Sequence, residues 1–178
     1  MPACNFGGNF EITAGGGRAN TTGGAATTDY VLQMKTLLRP LEPNNYGIGF
    51  AAGLVRHPDV NPGPNLLGNR YAYVPLSLSL DNDAVVLHAN LGWLRDRATR
   101  RDNLTWGIGG EFQLLPRLTA IAEVFGDNRV QPYSQVGARF MLVPDIVQLD
   151  ATTGQQFNGP RTSRWVSFGL RLTPDRLF

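Results

Sequence analysis

Residues 104–115 read LTWGIGGEFQLL, and their polarity alternates with a period of two. Leu104, Trp106, Ile108, Phe112 and Leu114 stand on one side, with Gly110 in their row; Thr105, Gly107, Gly109, Glu111 and Gln113 stand on the other. Successive side chains of a strand point to opposite faces, so this segment is a β-strand with one apolar and one polar face. The same pattern recurs on both sides of it. NFEITAGG (9–16), DYVLQMKTLL (29–38), YGIGFAAGLV (46–55), YAYVPLSLSL (71–80) and AVVLHANLGWL (84–94) precede it. LTAIAEVFG (118–126), PYSQVGARFML (132–142), DIVQLDATTG (145–154) and RWVSFGLRL (164–172) follow. The total is about ten strands. Pro75, inside one of them, predicts a bulge or a gap in pairing.

The links between strands alternate in length. Long ones are expected near 16–28, 56–69, 95–103, 126–132 and 153–163, and short ones near 39–45, 81–83, 115–117 and 143–145. Asp81, Asn82 and Asp83 suit a tight turn. Tight turns at one end and longer loops at the other are the rhythm of an all-β, antiparallel up-and-down transmembrane β-barrel, here a single domain over residues 1–178. An even count closes an antiparallel sheet and puts both termini on one side. Further strands upstream of Met1 would make the complete barrel about twelve-stranded, and a signal peptide is expected there as well.

Composition narrows the class. Apolar residues make up 42% of the 178, with 21 Gly and 12 Pro, which excludes disorder and fits strands joined by turns. No run approaches the roughly 18 apolar residues a spanning helix needs. The net charge of +2 is carried mainly by Arg dispersed along the chain, which argues against nucleic acid as a partner. The densest basic stretch is RDRATRRD (95–102), read as a solvated loop or as a contact for anionic lipid head groups. Cys4 is alone, so no internal disulfide forms.

Propagating the alternation collects Glu11, Gln33, Lys35, His88, Asn90, Glu111, Gln113, Glu123, Gln135, Arg139, Ser167 and Arg171 on one face. The opposite face carries almost no charge within the strands. A charge facing lipid near the midplane costs about 2–4 kcal/mol, so such segregation is expected of strands set in lipid. Glu111, Glu123, Arg139 and Arg171 are predicted to form an ion-pair ladder across the lumen, because buried charges are costly unless paired. That ladder either fills a narrow barrel or forms a charged constriction. Trp93, Trp106, Tyr30 and Phe178 fall near strand ends, as interfacial aromatic girdles do.

Catalytic patterns are missing. His57 precedes Pro58 in a loop, and His88-Ala89-Asn90 lacks the neighbouring serine of a barrel esterase. The chain is read as a non-enzyme with no metal and no cofactor. Gly107-Ile108-Gly109-Gly110 and Gly15-Gly16-Gly17 are followed by no helix pattern and are not phosphate loops; glycines in the strands leave room for large neighbours.

The C-terminal two-thirds contains Ala89 to Gly92, Glu123 to Gly126, Gly137 to Arg139 and Gly169 to Leu172 in that order. These stretches resemble the motifs of the bacterial outer-membrane barrels grouped as the meta-pathway of phenol degradation family. The resemblance runs from roughly Gly47 to Leu172. It implies a passive pore or transport-related channel of the Gram-negative outer membrane, for small hydrophobic or aromatic compounds. The partners it implies are the lipid bilayer with its lipopolysaccharide and the barrel assembly machinery, which reads a terminal aromatic such as Phe178. The chain is shorter than typical members, and Pro174 and Arg176 interrupt the alternation before Phe178. The rival readings are a non-conducting structural barrel and a soluble lipocalin-like ligand-binding barrel with its faces inverted. A barrel lipase ranks below both. Which face is enclosed separates the membrane barrel from the lipocalin.

Overall fold

The computed structural model describes residues 3–5, 9–19, 27–56, 68–144, 146–160 and 163–172. They form β1 (Ala3–Asn5), β2 (Phe10–Ala19), β3 (Thr27–Arg39), β4 (Tyr46–Arg56), β5 (Asn69–Leu80) and β6 (Val85–Asp96). Then come β7 (Arg101–Leu115), β8 (Leu118–Asp127), β9 (Tyr133–Val143), β10 (Val147–Gln156) and β11 (Trp165–Leu172). The strands lie in one up-and-down sheet in chain order, with β1 and β11 outermost among the described residues. None of the described residues forms a helix long and apolar enough to cross a membrane.

Ten of these strands coincide with the predicted ones to within a few residues, and β1 is additional. β1 is a three-residue strand that pairs Ala3 with Thr13 and Asn5 with Glu11. β5 stays extended through Pro75, and register shifts occur between Leu37 and Arg39 and between Val147 and Gln148. One expectation needs correction. The basic stretch is not a long loop, because β6 runs to Asp96 and β7 begins at Arg101. Its charges pair across the hairpin, Arg95 with Asp102, so the ladder continues where loose charge was expected to end it. The Asp96 carboxylate closes the turn by accepting from the Ala98 N–H at 2.8 Å and the Thr99 hydroxyl at 2.8 Å. The expected loop at 56–69 lies mostly outside the described residues, as do His57 and Phe178.

The chain divides into two compact units. The first is Met1–Pro40, Gly47–Leu76 and Asn90–Thr105. Its ladders keep the apolar row in step: Ile12 faces Met34, Met34 faces Ala52, and Leu32 faces Leu54. On the opposite face Glu11 meets Lys35, and Gln33 meets Gly53. A Cβ at Gly53 would lie 2.5 Å from the Leu32 carbonyl oxygen of the neighbouring strand, with the Tyr71 hydroxyl also leaning over it, so the position suits glycine.

The second unit is Leu41–Tyr46, Ser77–Ala89 and Trp106–Phe178. Its ladders are equally regular: Leu118 and Leu149 both face Phe140, and Leu149 faces Leu170. The polar row matches Thr119 and Asp150 to Arg139. Two tight turns of this unit are bolted together. Asn44 donates from its side-chain amide to Asn82 Oδ1 at 2.6 Å, and the Asn82 N–H donates back to Asn44 Oδ1 at 2.8 Å. Ser79, fully buried, accepts from the Asn44 N–H and donates to Asp83. Asp81, Asn82 and Asp83 hold φ of 50°, 52° and 70°, a left-handed run that Asp and Asn tolerate.

Neither unit has a conventional apolar core. Ala51 is the one buried apolar side chain among the described residues. The large apolar residues lie open on one face, where Leu91 is 58% exposed, Ile108 64% and Leu114 61%.

Candidate functional site

In the second unit the polar face forms one continuous chain of contacts. Arg139, on β9, donates from Nε to Asp150 Oδ1 at 3.0 Å, on the neighbouring β10. Its Nη1 donates to Glu111 Oε2 at 2.6 Å, on β7. To get there the guanidinium crosses β8, where the residue opposite Arg139 is the short Thr119. The Gln148 amide donates to both oxygens of Asp150, at 3.1 and 2.9 Å. Beyond Glu111, His88 Nε2 lies 3.8 Å from Oε1, and His88 Nδ1 is 2.8 Å from the Ser77 hydroxyl. One row therefore links β5 to β10 through Ser77, His88, Glu111, Arg139, Asp150 and Gln148.

The predicted ladder is thus partly formed and partly replaced. Arg139 and Glu111 pair as expected. Glu123 shares their face, opposite Gln135 and against Gly109, but pairs with no cation among the described residues. Arg171 stands opposite Gln148 on the exposed β11 and also pairs with no carboxylate among them. Asp150 takes the role expected of a second glutamate, because a guanidinium bonds most readily to the carboxylate directly opposite on the next strand. The alternation of residues 145–154 already placed Asp150 on this face. Ser77 was legible in a similar way: Leu80 and Val85 flank the tight turn, so Ser77, three before it, meets His88, three after.

Gln113 and Asn90 are exposed, and the Gln113 N–H donates to the Ala84 carbonyl at 2.8 Å. In the first unit, Lys35 Nζ is 3.3 Å from Glu11 Oε1, and the Tyr71 hydroxyl donates to Gln33 Oε1 at 2.9 Å. No group of three or more His, Cys, Asp or Glu among the described residues is arranged to hold a metal ion.

The aromatic residues divide between the faces. Trp93 lies on the apolar face, 43% exposed, with its indole N–H donating to Asp102 at 3.0 Å. Tyr30 lies under the Arg56 guanidinium, 5.7 Å from its ring centroid. Trp106 is half-buried on the apolar row. A cluster the sequence reading did not anticipate joins Phe125, Tyr133 and Trp165 on the polar face, with centroids 5.7–6.4 Å apart. Gly154 makes room for it, since Trp165 lies flat against the bare α-carbon.

The enclosed face of β9 is the polar one. The side chains of Arg139 and Glu111 are 29% exposed and that of Asp150 25%, against 55% for Val136 and 52% for Leu142. A water-soluble sheet is enclosed on its apolar face. The chain belongs to the family described as uncharacterised conserved protein UCP029691, whose model matches residues 1–173. That span holds all eleven strands and every polar residue of the row. No curated protein and no solved structure matches the chain.

Proposed function

We propose that this protein is a bacterial outer-membrane β-barrel that acts as a passive pore, its apolar face against lipid and its polar face around a wet lumen. The observation that carries the reading is the inversion of enclosure: Leu91, Ile108 and Val136 stand open while Arg139, Glu111 and Asp150 are half-buried and paired. In water that arrangement forfeits the hydrophobic driving force for folding; in a bilayer it is the favourable one. The edge of β11 supports closure. Its eight residues have only β10 as a described neighbour, and an open, flat, apolar edge invites aggregation unless it is paired. Closing the barrel requires an antiparallel partner strand along that edge. The same inversion weighs against the lipocalin-like reading. The resemblance to the phenol-degradation barrels supports small hydrophobic or aromatic solutes, with the bilayer and the assembly machinery as partners.

A second reading, a non-conducting structural barrel, is favoured by Arg139 reaching across β8, since that bridge fills space in a narrow lumen. The test has two stages. The chain is expected to partition into the detergent phase and, reconstituted in planar bilayers, to give steps of conductance that Arg139→Ala enlarges. Silence at every voltage leaves the structural barrel, and a monomer stable in plain buffer overturns the membrane reading.

A further inference from the structure

The apolar face of the first unit is not uniformly filled. Along one row Ile12, Met34 and Ala52 stand opposite one another on β2, β3 and β4, and Ala72 and Trp93 continue the lining on β5 and β6. Ala52 and Ala72 are the short members between the tall Met34 and Trp93, so they form the floor of a trough of about 520 Å³. That volume lies within the roughly 300–1,000 Å³ of small-molecule sites. The Trp93 wall is fixed in place, because Asp102 holds its indole N–H.

One charge opens onto this trough. Arg70, the second residue of β5, is exposed and lines its end on the side of the longer loops. Asp102, the carboxylate that holds the Trp93 wall, is itself paired with Arg95. Among the described residues Arg70 has no carboxylate within ion-pairing distance. An unpaired guanidinium above an apolar trough matches a molecule with an acyl chain and an anionic head. Guanidinium bonds phosphate oxygens in pairs, and the chain fills a space that flanking side chains leave empty.

We infer that this trough seats one anionic phospholipid, its acyl chain over Ala52 and Ala72 between Met34 and Trp93, its phosphate on Arg70. The inference rests on the proposed membrane orientation, since it needs the apolar face turned to lipid.

Native mass spectrometry of the full chain in nonionic detergent tests it, with phosphatidylglycerol and phosphatidylcholine of identical chains as probes. One phosphatidylglycerol per chain is expected at a concentration about tenfold below that needed for phosphatidylcholine. Arg70→Gln is expected to erase the preference. Ala72→Phe, which fills the floor, is expected to remove the retained lipid while the β circular dichroism stays unchanged. Equal retention of the two lipids by the wild type overturns the seat, as does undiminished retention by Ala72→Phe. Displacement by millimolar inorganic phosphate also overturns it, since the site would then bind the phosphate alone. Phase partition is measured on the same sample. A chain that leaves the detergent phase loses the membrane reading and the seat together, whereas one that stays in it without the preference loses the seat alone.

Discussion

β9 and β11 carry nearly the same alternation, yet the protein treats them differently. In β9, Val136, Phe140 and Leu142 are 55%, 42% and 52% exposed, while the Arg139 side chain between them is 29% exposed. In β11, Val166, Phe168, Leu170 and Leu172 are 65%, 83%, 63% and 63% exposed, and Arg171 is exposed too. β9 has a strand on each side, so its polar side chains lie between Thr119 and Asp150 and find partners. β11 has β10 alone among the described residues. The alternation decides which face a residue joins, whereas enclosure comes from the strands on either side.

The largest effect is expected where the apolar face is challenged at mid-strand. Ile108→Arg should cost about 2–4 kcal/mol when the folded chain is unfolded by urea in vesicles. Gln113→Arg, on the opposite face, should stay within about 0.5 kcal/mol. Equal costs for the two would break the distinction between faces. Next comes the contrast between the two strands themselves. Arg139→Ala leaves Glu111 and Asp150 without their shared cation and should cost on the order of 2 kcal/mol, while Arg171→Ala should cost about 0.5 kcal/mol or less. A double-mutant cycle of Arg139→Ala with Asp150→Ala should show a coupling of about 1 kcal/mol, and its absence would separate Arg139 from the row.

The turn bolt should give a smaller effect. Asn44→Ala and Asn82→Ala are each expected to cost about 1 kcal/mol, and the double variant less than their sum, because they remove the same bonds. The smallest effect lies in the β6–β7 turn. Burial alone would raise the Asp96 carboxyl, but hydrogen bonds from the Thr99 hydroxyl and the Ala98 and Thr99 N–H groups outweigh it and hold the pKa below the ordinary value. A lowered carboxyl stabilises the turn above the ordinary pKa, and that stabilisation is lost as pH falls through the lowered one. Amide exchange at Ala98 and Thr99 should quicken across that acid range and turn insensitive to pH, beyond its intrinsic dependence, in Asp96→Asn.

Much of this was open to a reading of residues alone. The strands from β2 to β11 and their faces followed from the period of two, since burial and the pleat impose it together. β1 escaped because three residues carry too little periodicity. The basic stretch at 95–102 reads as loop, since charge usually marks solvated links; whether Arg95 has a partner in Asp102 depends on the hairpin register. The period of two also puts Asp150 and Ser77 on the polar face, although the expected set omits them, and their contacts need strand-to-strand alignment. Arg139 reaching past Thr119 to Glu111 depended on which side chain was short enough to be crossed.

The order of residues by itself determined an antiparallel β protein with one apolar and one polar face, because side-chain direction in a strand is local geometry. The tertiary arrangement alone decided which of those faces is enclosed, that Asp150 rather than Glu123 completes the Arg139 pairing, and that Arg70 is left above an empty trough. Those outcomes depend on distances between atoms on different strands, and register and side-chain height set such distances only once the sheet is assembled.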